Sequence, residues 1–396
     1  MRVLAIGTVY PPHHLGGYEL IWSGAMRELR ASGHDVRVLV TDYRRVGVGT
    51  PEEPDVHREL DWYWREHEWR SLSLRQTLAL ERHNAAVFDR HVREFGPDVV
   101  TWWPVGGLSL SLIERARRAG LPAAMFVLDP WLAYGPRQDR WLRTWSRLGP
   151  LARAVERATG IPTSVDYARA GRWIFCSEAV RRAFIPAGLD APSPILSPGV
   201  DDAYLAVPRE QEPPPWRWRL LYVGRVVEQK GVATAVQALA LLPDATLRIV
   251  GDGDAPYRRW LQELAAELGV SGRTVFEPFR AQSELISVYR AADAVVFPVL
   301  WDEPWGLVPL EAMALGRPVV ATGRGGSADY LIDGENALLF GTGDASALAA
   351  SLSALAGDPR LRERLHEGGF RTAAAHTAGE FNRRAAAEIQ AAARVS

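Results

Sequence analysis

Two glutamates stand eight positions apart in the stretch WDEPWGLVPLEAMAL at 301–315. Gly306 and Pro309 lie between Glu303 and Glu311, where a predicted strand turns into a predicted helix. Glycine lets the backbone approach a ligand closely, and the free N–H groups at a helix start attract anions such as a diphosphate. The spacing therefore predicts one carboxylate for each end of a nucleotide sugar. Glu303 would face the sugar, and Glu311, in the first helical turn, would accept from the ribose hydroxyls.

A second segment, LLYVGRVVEQKG at 220–231, places two cations where a buried strand ends. Arg225 follows the strand and Lys230 opens the next helix. Two cations at this position can hold the nonbridging oxygens of a diphosphate. Taken alone, this pattern and the pair of glutamates also fit solvated side chains on ordinary turns, so the prediction depends on their combination.

The third segment is TVYPPHHLGGYEL at 8–20, in which Gly16 and Gly17 precede a predicted helix. This is a turn that a phosphate or a sugar could approach, although its signal is weaker than that of G-x-G-x-x-G. His13 and His14 are interpreted as loop residues rather than ligands. The acidic run GDGD at 251–254 lies between a strand and a helix and is interpreted as a turn, so no metal site is predicted.

Alternating strand and helix patterns must position these three segments. Such alternation predicts parallel sheets covered by helices on both faces, with ligands at the carboxyl ends of the strands. The predicted strands are 3–6, 36–40, 99–102, 123–127, 173–175, 220–223, 247–250, 274–276, 294–297 and 318–321. The predicted helices are 18–31, 74–95, 108–119, 178–185, 232–242, 257–268, 283–291 and 309–315.

The length of 396 residues favours two domains. We predict an N-terminal domain at 1–190, a Pro-rich hinge at 191–218, a C-terminal domain at 219–375 and, at 376–396, a helix that packs back toward the N-terminal domain. The cleft between two facing sheets is the expected site. Within the first domain, 44–70 lacks periodicity and is predicted to be a long functional loop.

Charge and composition exclude some classes of function. The formal net charge of −1 provides no general basic field for nucleic acid. No apolar run approaches about 18 residues, so no transmembrane helix is expected. The apolar N-terminal stretch is too short for a signal peptide and is predicted to be a strand. The single cysteine, Cys176, fits a reducing compartment, and a cytoplasmic location is expected.

In this order, the three segments resemble the family 4 glycosyltransferases of the GT-B fold. The resemblance covers nearly the whole chain and is strongest over 218–345, which includes VGDGD at 250–254 and GRPVVATGRGGSADYLIDGENALLF at 316–340. It implies two Rossmann-like α/β domains that face each other across a cleft. The N-terminal domain would bind the acceptor and the C-terminal domain a nucleotide diphosphate sugar, expected to be a UDP-sugar, and transfer would retain the anomeric configuration.

The resemblance also assigns residues. Glu303, Arg225, Lys230 and Asp129 match the catalytic positions, and no metal cofactor is implied, because protein cations and helix N-termini meet the charge of the diphosphate. The donor-binding positions are Gly16, Gly17, Arg225, Lys230, Phe279, Glu303, Trp305, Gly306, Leu307, Val308 and Glu311.

Two departures from the family pattern stand out. Pro278 replaces a frequent glycine where the strand end VFEPF at 275–279 would contact the base through its backbone, and it removes an N–H group. Leu128 replaces a histidine that precedes Asp129 in the family, which points to a changed sugar site, a shifted catalytic geometry or an inactive homologue. We expect a changed sugar site in which Asp129 partly substitutes for the histidine.

Aromatic and basic residues concentrate in the first domain. The clusters DWYWREHEW at 61–69 and TWWP at 101–104 fit either acceptor stacking or a packed core. The basic segment 137–160 is predicted to be a helix on which Trp141, Trp145 and Leu148 share a face. Such a helix fits peripheral contact with the anionic inner face of a membrane, or packing on the domain with its arginines in solvent.

Two other functions fit the same residues less well than sugar transfer. A non-hydrolysing sugar-nucleotide epimerase of similar fold would need acid–base groups around the sugar. A degenerate nucleotide-sugar-binding partner protein is motivated by Leu128. The acceptor, a glycan, a lipid-linked sugar or a small aglycone, is not identified by the sequence.

Overall fold

The structure is a computed structural model that describes residues 1–14, 16–45, 53–65, 68–189, 193–210 and 215–394. The chain forms two compact units. Unit 1 comprises Met1–Ser197 and Phe381–Ser396, and unit 2 comprises Pro198–Glu380. In the part of the chain that is described, no helix combines the length and apolar character needed to cross a membrane.

Unit 1 contains a parallel sheet of six described strands and a separate antiparallel hairpin. The elements of unit 1 in chain order are β1 (Arg2–Ile6), α1 (Gly17–Ala31), β2 (Asp35–Thr41), β3 (Val56–Leu60), β4 (Trp64–Arg65), β5 (Glu68–Trp69), α2 (Leu74–Phe95), β6 (Val99–Trp102), α3 (Ser111–Arg118), β7 (Ala123–Val127), α4 (Trp131–Gln138), α5 (Arg140–Trp145), α6 (Gly149–Thr159), β8 (Arg172–Phe175) and α7 (Glu178–Phe184). The strand order in the sheet is β3-β2-β1-β6-β7-β8, and β4 and β5 form the hairpin.

Unit 2 repeats the architecture with a sheet of six described parallel strands. Its elements, with the last helix of the chain, are α8 (Asp202–Leu205), β9 (Arg219–Val223), α9 (Val232–Ala240), β10 (Thr246–Val250), α10 (Ala255–Glu267), β11 (Thr274–Glu277), α11 (Gln282–Arg290), β12 (Ala294–Phe297), α12 (Leu307–Ala314), β13 (Val319–Ala321), β14 (Leu338–Leu339), α13 (Ala345–Gly357), α14 (Pro359–Ala375) and α15 (Ala378–Ala393). The strand order in the sheet is β11-β10-β9-β12-β13-β14. The helix α15 begins in unit 2 and belongs to unit 1 from Phe381 onward.

Both sheets have the doubly wound order, in which the strand sequence reverses beside the first strand. The reversal lies between β1 and β6 in unit 1 and between β9 and β12 in unit 2. In sheets of this kind, ligands bind at the carboxyl ends of the strands that flank the reversal. The fold therefore directs attention to the loops that follow these four strands.

The prediction of α/β architecture with two parallel sheets is confirmed. Every residue of β6, β7 and β12 is buried, as expected for central strands with helices on both faces. These three strands have the bounds that the sequence predicted. Their continuous apolar runs explain why they were found without ambiguity.

The interpretation of 44–70 as a long loop was wrong for its described part. It contains β3, which pairs with β2 at the edge of the sheet, and the hairpin of β4 and β5. Tyr63 anchors the hairpin by donating a 2.6 Å hydrogen bond to the buried Glu81 of α2. The sequence of β3, VHREL, lacks alternation of apolar residues, so its pattern gave no strand signal. Residues 46–52 and 66–67 lie outside the described part.

The prediction of one basic helix over 137–160 was also wrong. Three helices, α4, α5 and α6, occupy this segment, because Asp139 ends α4 and caps α5 by accepting from the Leu142 N–H at 2.9 Å. Trp141 is buried, and its Nε1 donates to the carbonyl oxygen of Pro162 at 2.8 Å. Leu148, in contrast, is 44% exposed. The predicted shared face is therefore not formed.

Candidate active site

An ion pair joins the loops after β9 and β12, the two strands at the reversal in unit 2. Nζ of Lys230 lies 2.6 Å from Oε2 of Glu303, and the side chains are 14% and 12% exposed. Nε1 of Trp301 donates to the same carboxylate oxygen at 2.8 Å. Burial lowers the pKa of Lys230, and the charge of Glu303 opposes that shift. Two predicted site residues are therefore in direct contact, and Trp301 joins them.

Arg225 lies on the loop after β9, in the same segment as Lys230. The hydroxyl of Tyr222 donates to the carbonyl oxygen of Arg225 at 2.7 Å and fixes the backbone at this point. The Arg225 side chain is exposed, and among the described residues no carboxylate forms an ion pair with it. This guanidinium is available to bind an anion.

The acidic turn after β10 supports the loop that carries Arg225. The Val226 N–H donates to the carbonyl oxygen of Asp252 at 2.9 Å, and the Asp254 N–H donates to the carbonyl oxygen of Val226 at 3.1 Å. A Cβ at Gly253 would lie 2.3 Å from the Val226 oxygen, so only glycine allows this approach. Oδ1 of Asp252 also accepts from the Phe279 N–H at 3.2 Å. The GDGD run therefore builds a turn, and its first aspartate connects two loops.

Helix α12 begins at Leu307, directly after Gly306. The first N–H groups of a helix have no intrahelical partner, so Leu307 and Val308 present donors toward the loop. The hydroxyl of Tyr330 donates to the carbonyl oxygen of Gly306 at 2.5 Å. Trp305 is buried against Tyr330, with ring centroids 4.8 Å apart. The contribution of Trp305 to a ligand would therefore come from its backbone, while its ring anchors the turn.

A glycine pair that the sequence analysis did not single out holds the Glu303 loop from behind. The Gly326 N–H donates to the carbonyl oxygen of Glu303 at 2.6 Å. Gly325 has φ of 65°, and a Cβ there would lie 2.3 Å from the same oxygen. The signal was present in the GRGG run at 323–326, which the family resemblance includes, but its contact partner lies about 20 residues away in the chain.

Glu311 is the fifth residue of α12, so its predicted place in the first helical turn was wrong. The helix begins two residues before Pro309. The hydroxyl of Tyr289 donates to Oε2 of Glu311 at 2.6 Å. Burial raises the pKa of Glu311 to about 7, the hydrogen bond from Tyr289 lowers it, and the charge of Asp201 raises it further. This carboxyl is therefore close to its midpoint of ionisation at neutral pH.

Phe279 follows β11, on the same edge of the sheet as the other loops. Its N–H is already engaged by Asp252, and Pro278 has none. Backbone donation to a base, as the family pattern implies, is therefore reduced at this strand end. The Phe279 ring is exposed and offers a flat apolar face instead.

In unit 1, Gly16 caps α1 and Gly17 is its first residue. The Gly16 N–H donates to Oε2 of the buried Glu19 at 3.0 Å. The hydroxyl of Tyr18 donates to the carbonyl oxygen of Phe126 at 2.9 Å and accepts from the Leu128 N–H at 3.1 Å. This side chain connects the glycine turn to the end of β7, so these parts of the predicted site lie together.

Asp129 follows Leu128 at the end of β7. Its Oδ2 accepts from the hydroxyl of Tyr134 at 2.5 Å. The exposed ring of Tyr134 contacts the exposed Trp69 edge to face, with centroids 6.2 Å apart. Leu128 itself is buried, so it offers a ligand no apolar surface of its own.

The aromatic clusters divide into two groups. Trp62, Trp102 and Trp103 are buried, and Trp103 stacks on Phe126 with the ring planes 2° apart. These residues form the core of unit 1 and cannot contact an acceptor. Trp69 is exposed, so the acceptor hypothesis is restricted to this residue and its neighbours.

Comparison with known families gave two matches that together span most of the chain. Residues 15–204 match the family described as Glycosyltransferase Family 4. Residues 207–372 match the family described as Glycosyl transferases group 1. The first covers most of unit 1 and the second most of unit 2.

Individual relatives have names of the same kind. A glycogen synthase from Mycobacterium tuberculosis is 29% identical over 403 aligned positions, covering 92% of this chain and 88% of that protein. A D-inositol 3-phosphate glycosyltransferase from Thermomonospora curvata is 36% identical over 192 positions, covering 45% of this chain and 43% of that protein. The structure of Anabaena HepE in complex with UDP-glucose superposes with a TM-score of 0.70 at 20% identity, covering 99% of this chain and 100% of that one.

The raised pKa of Glu311 makes the stability of the protein depend on pH. Because the folded pKa of about 7 exceeds the usual value of 4.5, Glu311 stabilises the folded state below pH 4.5 and loses this contribution as the pH rises through about 7. Glu311→Gln cannot ionise. We expect its Tm relative to wild type to increase between pH 5 and pH 8, by about 2 °C or more.

Thermal unfolding at several pH values measures this difference. The same substitution at the exposed Glu263 of α10 controls for the loss of a carboxylate. A Tm difference for Glu311→Gln that is constant over this range, or that decreases with pH, would contradict the assignment.

Proposed function

The chain belongs to the family 4 glycosyltransferases, and on that premise we propose that it transfers a sugar from a UDP-sugar to an acceptor hydroxyl with retention of configuration. The observation that carries this proposal is the meeting of Lys230 and Glu303, with Arg225 on the same loop as the lysine, at the strand reversal of unit 2. Two cations and a carboxylate at this point suit a sugar attached to a diphosphate.

The chemistry follows from the charge of the leaving group. When the bond to the sugar breaks, negative charge develops on the diphosphate. Arg225, Lys230 and the N–H groups of Leu307 and Val308 would stabilise it there, and such stabilisation is often the largest contribution of a protein to catalysis. The acceptor hydroxyl would attack from the face that the diphosphate leaves and lose its proton to a phosphate oxygen. This route needs no metal ion, and we propose that transfer is independent of metal.

The contact between Lys230 and Glu303 implies an exchange of partners. A lysine that binds a phosphate oxygen must share or release its 2.6 Å contact with the carboxylate. Glu303 would then be free to accept from hydroxyls of the transferred sugar, while Trp301 keeps it oriented. The resting ion pair thus holds both groups ready and prevents either from being buried without a partner.

Glu311 and Phe279 suit the nucleoside. Glu311 would accept from the ribose hydroxyls, and its raised pKa would fall as these donors stabilise the charged form. The exposed ring of Phe279 would stack on the base. Anabaena HepE has been crystallised with UDP and with UDP-glucose, which supports a uridine nucleotide for this chain of the same fold.

The acceptor would bind to unit 1 at a patch formed by Trp69, Tyr134 and Asp129. Exposed aromatic rings stack on sugar rings or on an apolar aglycone, and the carboxylate can accept from a hydroxyl. The hydrogen bond from Tyr134 orients Asp129 toward this patch. Asp129 also remains the proposed contact of the transferred sugar that the family pattern implies, in place of the histidine that Leu128 replaces. The acceptor classes are a glycan, a lipid-linked sugar or a small aglycone.

A peripheral contact with the anionic inner face of a membrane is proposed on a surface different from the one that the sequence predicted. Leu148 and Leu151, at the start of α6, are 44% and 55% exposed. A cavity of about 660 Å³ nearby is lined by Arg137, Arg143 and Arg147. In the described part of the chain, no carboxylate pairs with these three guanidinium groups. Exposed leucines beside unpaired arginines suit the interface of an anionic bilayer.

The variant Arg225→Ala tests the diphosphate site. Arg225 forms no ion pair with a carboxylate among the described residues, so its removal leaves no carboxylate without a partner. A charge-assisted contact contributes about 1.5–3 kcal/mol, so kcat/KM for the donor should fall about 10- to 150-fold. Steady-state transfer or donor hydrolysis measures this, and Arg259→Ala on α10 removes the same charge from an exposed position.

Lys230→Ala should cause a comparable loss of kcat/KM for the donor. It also leaves the Glu303 carboxylate without its ion-pair partner. Wild-type turnover in both variants would exclude the diphosphate site.

The products formed by the wild-type protein distinguish the alternative functions. Release of UDP would exclude a purely binding role, and an epimerised nucleotide sugar as the product would favour the epimerase alternative.

Substitution of the two glutamates should change different kinetic and binding constants. Glu303→Gln removes a carboxylate that competes for Lys230 and never contacts the nucleotide, so UDP affinity should stay within about two-fold or increase, while kcat falls. Glu311→Gln removes an acceptor for the ribose, which binds equally before and during transfer, so UDP affinity should fall and KM for the donor rise. Calorimetric titration with UDP separates the roles, and equal losses of UDP affinity would contradict them.

Sedimentation with vesicles tests the membrane surface. The double variant Leu148→Ser and Leu151→Ser should lose most of the binding that the wild-type protein shows to anionic vesicles at low salt, because burial of each leucine contributes about 1.5–3 kcal/mol. Leu241→Ser with Ile332→Ser is the matched control, since these are exposed apolar residues of unit 2. If the wild-type protein does not bind, or if binding survives the Leu148 and Leu151 substitutions, the membrane hypothesis is contradicted. The segment 137–160 then only packs on the domain with its arginines in solvent.

A further inference from the structure

Three potential metal ligands meet where the edge strand β3 packs against α2, apart from the proposed active-site residues. His57 and Glu59 are two positions apart in β3 and therefore lie on the same face of the strand, and His91 projects from α2. One ligand atom from each lies within 4.8 Å of the other two. Two imidazoles and a carboxylate form a ligand set that binds zinc in proteins.

His91 is the most informative member of the cluster. It is 2% exposed, and neither ring nitrogen makes a hydrogen bond with a described residue. Buried polar atoms are normally satisfied, so a buried imidazole with two unsatisfied nitrogens requires an explanation. An uncharged imidazole has one ring nitrogen with a lone pair, which can bind a metal ion.

The separations of the two imidazoles from Glu59 suit a tetrahedral ion. Nδ1 of His57 lies 3.3 Å and Nε2 of His91 lies 3.5 Å from Oε1 of Glu59. Bonds of about 2.0–2.2 Å at tetrahedral angles separate two ligand atoms by about 3.3–3.5 Å. Glu59 is therefore already at the spacing from both imidazoles that an ion would impose, and all three ligand atoms lie within 4.8 Å of one another. The partial exposure of His57 and Glu59 leaves a path for the ion and a fourth position for water.

The groups around the cluster orient its members as outer ligands do in metal proteins. Oδ1 of Asp55 lies 2.6 Å from Nε2 of His57, which leaves Nδ1 to face the cluster. Arg90 binds the second oxygen of Glu59, so Oε1 is the oxygen that remains for an ion. Arg37 holds Asp55 through both carboxylate oxygens at 3.2 Å.

The charges decide which class of ion fits. Arg37 and Arg90 already balance the charges of Asp55 and Glu59, so the site has little net negative charge with which to attract a hard cation. Calcium and magnesium depend on several charged or carbonyl oxygens. Affinity here must come from the two imidazoles, which favours zinc and similar transition-metal ions.

We propose that His57, Glu59 and His91 bind one zinc-class divalent ion that connects the edge strand β3 to α2 and stabilises unit 1. The role is structural and lies outside the proposed transfer chemistry. Because the ion binds the folded arrangement and the strand and helix are far apart in sequence, binding should raise the stability of the folded state.

Cobalt titration of the full chain, after removal of metals with a chelator, tests the proposal. Co²⁺ should bind at one equivalent per chain with the intense visible absorption of tetrahedral coordination, and Zn²⁺ should displace it. Zn²⁺ should also raise the Tm of the chelator-treated protein by about 2–5 °C, whereas Mg²⁺ at the same concentration should not.

Variants locate the ion. His57→Gln and Glu59→Gln alter partly exposed residues and should remove the cobalt band and the zinc-dependent rise in Tm, as should the buried change His91→Gln. His34→Gln is the matched control and should retain both, because His34 lies in the turn between α1 and β2 and contacts Gln390 rather than the cluster. No stoichiometric uptake by the wild-type protein, an equal rise in Tm with Mg²⁺, or full uptake by His57→Gln would overturn the proposal.

Discussion

The ion pair of Lys230 and Glu303 depends on the order of the strands. Because β9 and β12 are neighbours at the reversal of the sheet, the loops that follow them end side by side, although the two residues are 73 positions apart. A pair with so little exposure contributes less to stability than its short distance suggests, since both charges have lost water. The ion pair matters mainly for the positions of its two groups. It keeps a cation and a carboxylate in fixed positions at the edge of the sheet where this kind of fold binds its ligands.

Sequence patterns predicted the parts of the fold whose signals are local. The continuous apolar runs of β6, β7 and β12 and the periodic helix α2 were found with their observed bounds, because burial on two faces or on one face leaves a pattern within a few residues. The edge strand β3 was missed, since VHREL is only half-buried and carries charges in place of alternating apolar residues. The prediction for 137–160 was wrong for another reason. Asp139 ends one helix and caps the next, and its buried carboxylate also accepts from the distant Leu110 N–H, a contact that no local pattern shows.

The site was predictable in its charged residues and not in its supports. Arg225, Lys230 and Glu303 follow predicted strands, so parallel topology alone brings their loops to the same edge. Trp301 and Gly325 were not found, because their contacts with Glu303 become visible only when the chain has folded. Predicted roles in catalysis and donor binding remain predictions. The structure shows which of these groups touch and how they are supported.

The glycines that pack against the Arg225 loop affect the entropy that a ligand would lose on binding there. Gly251 and Gly253 lie within reach of backbone oxygens of the loop, at distances that exclude any side chain. Glycine loses more backbone freedom on folding than other residues. That entropy is lost when unit 2 folds, before any donor arrives. The loop is therefore ordered in advance, and a diphosphate that enters it would need to rearrange side chains such as Lys230 without also having to immobilise the backbone.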